Sequence, residues 1–206
     1  MDFALSEEQT AIFDMAKDFG AQEIAPFAQQ WEKDEIIPKD LWPKFGELGL
    51  GAIYVPEEDG GSGLTRLDGT LVFEALSMAC PSVAAFLSIH NMCASMMAAN
   101  ATDEVKSRMM ADVVSMKTVV SYCLTEPGSG SDAAALKTRA DRTNDGFNLT
   151  GTKAFISGGG YSDAYIVMAR TGDAGPSGVS AMLVEDGSEG LSFGGLEDKM
   201  GWRSQP

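Results

Sequence analysis

A change of hydrophobic period near Lys117 divides this chain into two kinds of polypeptide. Before it, apolar residues recur at helical spacing, as in Ile12, Phe13, Ala16 and Phe19, or Leu41, Trp42, Phe45 and Leu48. After it they alternate, with Leu136, Thr138 and Ala140 set between Lys137, Arg139 and Asp141. Helices present one face every 3.6 residues and strands every second residue, so the two stretches need different architectures. The expectation is an α+β multidomain protein. An all-α helical domain over residues 1–117 precedes an antiparallel β-barrel or sandwich domain over 118–206.

Within the first stretch, Ser6-Glu7-Glu8-Gln9 has the form of a capping box and predicts a helix start. Gly20 and Pro26 interrupt, and a second helix is expected from Phe27 to Trp31. Pro38 opens another, which Gly49 and Gly51 end, and residues 56–63 (PEEDGGSG) read as loop. Helix resumes near Arg66, breaks at Pro81 and runs on from Ser82 to Ala99. Thr102 predicts the cap of a last helix reaching Met116. In the second stretch, 119–124, 136–140, 147–149 with a return over Ala154-Phe155-Ile156, 165–169 and 179–184 read as strands. Thr143-Asn144-Asp145-Gly146 is a hairpin turn signal.

Charge removes several function classes. The chain has 206 residues, 30 Asp and Glu against 15 Lys and Arg, and a net charge of −15. Nucleic-acid backbones and anionic membranes both need basic faces, so neither partner is expected. The three cysteines Cys80, Cys93 and Cys123 and the single His90 offer no zinc-ligand spacing. His90 sits in an apolar run and reads as a core histidine. Val83–Ala99 is apolar but only 17 residues long, with Ser88, His90, Asn91 and Ser95 inside it. A buried helix explains it better than a membrane span, which needs ~20 apolar residues with interfacial anchors. Met1-Asp2-Phe3-Ala4-Leu5-Ser6 has neither a signal nor a transit pattern, so a cytoplasmic, bacterial location is expected.

Two stretches could carry chemistry. In Tyr122-Cys123-Leu124-Thr125-Glu126-Pro127-Gly128-Ser129-Gly130-Ser131-Asp132, a strand runs into a Gly/Ser loop. Small residues allow close ligand approach, and successive N–H groups can cradle an oxyanion. In Gly151-Thr152-Lys153-Ala154-Phe155-Ile156-Ser157-Gly158-Gly159-Gly160, an aromatic and a hydroxyl stand two residues apart. On a strand they would share one face and offer a plate and a hydrogen-bonding group to a planar ligand. Composition alone favours a flexible hairpin loop for the first stretch, and a strand end with a turn is the plain reading of the second.

The order of YCLTEPGSGSD (122–132), KAFISGGG (153–160) and GLSFGGLEDKMGWRSQP (190–206) resembles the acyl-CoA dehydrogenase family. These flavoenzymes oxidise acyl-CoA thioesters to enoyl-CoA. LSIHNMCA (87–94) and the closing GW-x-SQP are most similar to the isobutyryl-CoA dehydrogenase branch, which serves branched-chain amino acid catabolism. The resemblance implies FAD as cofactor and acyl-CoA as substrate. It also implies electron-transfer flavoprotein as redox partner and a homotetramer. The FAD-binding residues it implies are Tyr122, Cys123, Leu124, Thr125, Glu126, Gly130, Ser131, Phe155, Ile156 and Ser157. Ser131 would also touch the thioester substrate. Phe155 stands where the family often has Trp, and Ser157 where it often has Thr.

Members of the family are nearly twice this length. Their C-terminal helical bundle, which carries the catalytic Glu, has no counterpart in these residues. The resemblance therefore implies the N-terminal part of a dehydrogenase, inactive without the missing C-terminal half. A non-catalytic binding or assembly fragment and an oxidase on the same scaffold remain open readings at this point.

Overall fold

The computed structural model describes residues 4–205. The Met1–Phe3 part of the N-terminal motif and the final Pro206 of GW-x-SQP lie outside them.

Among the described residues, the helical stretch forms six α-helices: α1 (Glu7–Phe19), α2 (Ala28–Asp34), α3 (Trp42–Glu47), α4 (Arg66–Ser77), α5 (Pro81–Asn100) and α6 (Asp103–Val114). The capping box forms as the sequence predicts: Gln9 N–H donates to the Ser6 hydroxyl, and the Gln9 side chain accepts from Ser6 N–H. Thr65 and Asp68 make a second capping box at α4, and Gln9 Nε2 donates to Asp68 Oδ1, tying the two helix starts together. Gly20 does not end the first helix. The chain passes into a π-helical turn over Gly20–Ile24, with Gly20 close against Ala79. Pro81 occupies the first turn of α5, where its missing N–H costs nothing.

The helical core is built on Trp42, Phe45 and Phe86, all buried, with Trp42 stacked on Phe86 at 4.8 Å between ring centres. Each such ring contributes roughly 1.5–3 kcal/mol by leaving water. Helix α5 is long and apolar enough to cross a membrane, but 61% of its apolar window is buried inside the protein, as in a core helix. Its polar residues are satisfied internally. His90 Nε2 bonds the Val113 carbonyl at 3.0 Å. Asn91 accepts from Ile53 N–H at 2.7 Å and donates to the Leu50 and Leu87 carbonyls. The LSIHNMCA stretch thus fastens α5 to the turn at 50–53 and to the end of α6.

The second stretch forms one five-stranded sheet of β1 (Val120–Cys123), β2 (Arg139–Arg142), β3 (Phe147–Thr150), β4 (Ala164–Arg170) and β5 (Val179–Glu185). The sheet is mixed, where the strand alternation predicts a wholly antiparallel one. β4 runs parallel to β1 in the register Val120↔Ala164 to Cys123↔Val167, and parallel to β2 at Arg139↔Arg170. The β2–β3 hairpin, intervening between β1 and β4, supplies the chain length that parallel pairing needs. β2–β3 and β4–β5 are antiparallel, and Thr143 N–H donates to Gly146 O at the predicted hairpin turn. The return strand expected over Ala154–Ile156 is absent, because Phe155 has a left-handed φ of 56° that extended structure excludes.

The chain divides into two compact units. Val120–Glu197 form the sheet unit, and the segment from Asp198 groups with the helical unit rather than with the sheet, where the 118–206 domain placed it. Glu32 on α2 explains this by accepting from the backbone N–H of Arg203 and Ser204 at 2.9 and 3.0 Å. Arg203 pairs in turn with Glu35 and Asp198.

Candidate functional site

The sheet unit brings the two glycine-bounded stretches side by side. β1 delivers residues 122–126, and the chain leaving β3 delivers 153–157. Three ties hold them in register. Ser121 Oγ donates to the Ser157 carbonyl at 2.5 Å, Ala154 N–H donates to the Thr125 carbonyl at 2.9 Å, and Lys153 Nζ donates to the Leu124 carbonyl at 2.9 Å. Ser121 also shares a hydrogen bond with Ser162, and Tyr165 OH donates to the Gly158 and Ser162 carbonyls, so the 157–162 loop is pinned to β4.

A buried ion pair anchors the arrangement. Lys153 Nζ lies 2.8 Å from Glu126 Oε1, and the two side chains are only 10% and 7% exposed. Glu126 also accepts from Lys137 N–H at 2.7 Å and Thr138 N–H at 2.8 Å. Burial alone would raise the Glu126 pKa. The Lys153 ammonium and the two backbone donors outweigh it and hold the carboxyl at about 2. Gly151 sits so close to Thr138 that a Cβ there would come within 2.3 Å of Thr138 Oγ1. The chain passes this close to Thr138 because Gly151 carries no side chain.

The residues carried over from the resemblance fall into two groups. Leu124, Thr125, Ile156 and Ser157 are half-buried beside the ties, Tyr122 is half-buried, and Gly130, Ser131 and Phe155 are exposed. Phe155 is 75% exposed, and its left-handed backbone projects the ring away from the sheet unit. The space around Gly128 and Gly130 is open. Two residues differ in character. The Glu126 carboxylate accepts from three internal donors, Lys153 Nζ and the backbone N–H of Lys137 and Thr138, on its two oxygens. The Cys123 thiol packs with Tyr165 and Val167 in the sheet core, where burial pushes its pKa up to about 12 despite Lys153. Neither side chain faces outward, so any ligand contact there falls to the backbone.

Phe155 and Ser157 are near each other, but through a left-handed turn rather than one strand face. Lys153 is the site residue that the sequence reading passed over. The available signal was its isolation, since it is the only charged residue between Asp145 and Asp163. Behind the Glu126–Lys153 pair, a cleft of 250 Å³ is lined by Pro127, Gly128, Thr138, Gly151 and Thr152. Ligand pockets commonly span ~300–1,000 Å³. The cleft falls below that range, and Leu124, Thr125, Gly130, Phe155 and Ser157 are not among its lining residues. An aromatic ring, hydroxyls and glycine backbone in two tied segments are chemistry that suits a planar ligand carrying a phosphate chain.

Comparisons with known proteins give the family. The family model described as acyl-CoA dehydrogenase, N-terminal domain, matches residues 6–117, and the acyl-CoA dehydrogenase middle domain matches 121–206. Mitochondrial isobutyryl-CoA dehydrogenase of Dictyostelium discoideum is 50% identical over 98% of this chain, and that of Bos taurus 49% identical over 98%. In each case the match covers 49% of the relative, so the chain spans about half the length of these curated relatives. Among solved structures, butyryl-CoA dehydrogenase from Megasphaera elsdenii superposes with a TM-score of 0.90 at 34% identity, covering 99% of this chain and 55% of that one. The FAD complex of PigA superposes with a TM-score of 0.93 at 30% identity, covering 100% and 55%. With both domain models matched in order along nearly all of its length, the chain belongs to the acyl-CoA dehydrogenase family.

Proposed function

We propose that this chain forms the flavin face of an FAD-dependent dehydrogenase that introduces the α,β-double bond into a short, branched, isobutyryl-like acyl-CoA. The observation that carries the reading is the pairing of segments 122–126 and 153–157, with Phe155 exposed on a left-handed turn beside them. FAD, when bound, supplies the acceptor for the substrate's β-hydride. The chain's own residues bind and orient. Phe155 would pack on the flavin ring, and Leu124 through its backbone and Thr125 through its hydroxyl would hold it. The Ser157 hydroxyl would be available to hydrogen-bond the flavin. The Gly130–Ser131 backbone receives the pyrophosphate, and Ser131 also meets the thioester end of the substrate. Covering this face excludes water and strengthens each of these hydrogen bonds.

Removal of the α-proton needs a carboxylate base. Glu126 is held ionised by an internal ammonium and two N–H groups, which leaves it a poor base. The base is assigned to the part of the longer relatives that these residues do not span. Electron-transfer flavoprotein is the proposed electron acceptor, and a homotetramer the proposed assembly. The test is anaerobic addition of isobutyryl-CoA to the flavin-loaded protein, purified as it occurs in its source. Bleaching of the flavin absorbance with isobutyryl-CoA, and slow recovery in air, is the expected result. Fast recovery in air would make the protein an oxidase, and failure to retain FAD would defeat the reading altogether.

A further inference from the structure

We infer that Lys153 and Glu126 are positioning residues that fix the left-handed turn at Phe155, and through it the aromatic plate of the ligand face. The inference rests on the flavin reading only for the identity of the ligand.

Left-handed backbone is uncommon for a residue with a bulky side chain and persists where surrounding contacts over-determine it. Here the contacts stand on both sides of Phe155. On its N-terminal side, Lys153 reaches across to the Leu124 carbonyl at 2.9 Å and to Glu126 at 2.8 Å. Ala154 N–H bonds the Thr125 carbonyl. On its C-terminal side, the Ser157 carbonyl is held by Ser121. The Phe155 ring itself is 75% exposed, so its own packing cannot be what stabilises the turn.

Lys153 is suited to this task by its single long arm. One ammonium bonds a carbonyl of the first segment and a carboxylate whose other oxygen is held by the backbone at Lys137. Glu126 in turn is locked to β2's approach through Thr138 N–H. The pair therefore joins three separate chain segments at one buried point, next to the residue whose backbone is strained. A fastening of the fold alone would not need to sit there. Cutting it should release 153–157 from 124–126 while leaving β1 on β4.

The experiment uses the whole protein with three changes: Lys153→Met, the paired change Glu126→Gln with Lys153→Met, and Lys153→Arg. The paired change removes both charges together, so it leaves no unpartnered buried ion and folds even if Lys153→Met alone does not. Amide hydrogen exchange is read at Ala154, with Tyr122 and Ile166 in the β1–β4 register as controls. FAD affinity is read by titration. The expected result is at least tenfold faster exchange at Ala154 with the controls unchanged, at least tenfold weaker FAD binding, and recovery of both in Lys153→Arg. Unchanged Ala154 exchange would overturn the inference. So would faster exchange with undiminished FAD affinity, which would make the pair a local fastening only. A wild-type protein that binds no FAD would defeat the flavin reading instead, and the Ala154 exchange would still decide whether the pair fixes the turn.

Discussion

Phe155 concentrates the tension between folding and function at a single residue. Its left-handed backbone costs ~1–2 kcal/mol relative to an ordinary one, and its ring is mostly in water. Phe155→Gly removes that cost and adds roughly 0.5–1 kcal/mol of unfolded-state freedom. The melting temperature should therefore stay level or rise slightly, while FAD affinity falls; calorimetry and flavin titration on the same preparation check both halves. Glu126 has a different signature. Its carboxyl titrates near 2 in the fold against 4.5 in an unperturbed glutamate. The stability this supplies is present in full above pH 4.5 and is lost as pH falls through about 2. It amounts to roughly 3 kcal/mol. Glu126→Gln should flatten that part of the acid-unfolding profile, and an unchanged profile would show that the pair contributes nothing. The sequence disclosed neither residue's character. Phe155 carries no glycine-like hint of positive φ, and the Glu126–Lys153 pair joins residues 27 apart in the chain.

At the scale of elements, local signals were legible and long-range pairings were not. Ser6 and Gln9, and Thr102, mark helix starts through contacts within one turn, and α1 and α6 begin there, while α5 starts at Pro81 itself, read from the sequence as a break. Thr143–Gly146 likewise mark the β2–β3 hairpin. The parallel pairing of β1 with β4 depends on a crossover of 40 residues, and nothing in either strand's alternation states its direction. Helix α5 shows the same division. Its burial follows from composition, but the role of Asn91 appears only once Ile53 and Leu50 are seen against it. Asn91→Ala leaves a buried N–H and a buried carbonyl without a partner. It should cost on the order of 3 kcal/mol in a urea-unfolding experiment, with the slope unchanged. Phe86→Ala removes the ring stacked on Trp42 and should cost ~3–5 kcal/mol by the same measurement.

For the whole molecule, family membership rests on two domain models in sequence, and the curated relatives are about twice as long. The order of the motifs was legible because each motif is a local string. The site is not a string. It arises where a strand end and an irregular segment 29 residues later are tied together, with Leu124 and Lys153 in direct contact. If these two segments make one flavin face, a crystal structure of the protein soaked with FAD will show the isoalloxazine ring against Phe155, with Thr125 and the Leu124 backbone at its edge and the pyrophosphate near Gly130 and Ser131. A ring bound elsewhere, with Phe155 still facing solvent, would mean that the two segments do not form that face.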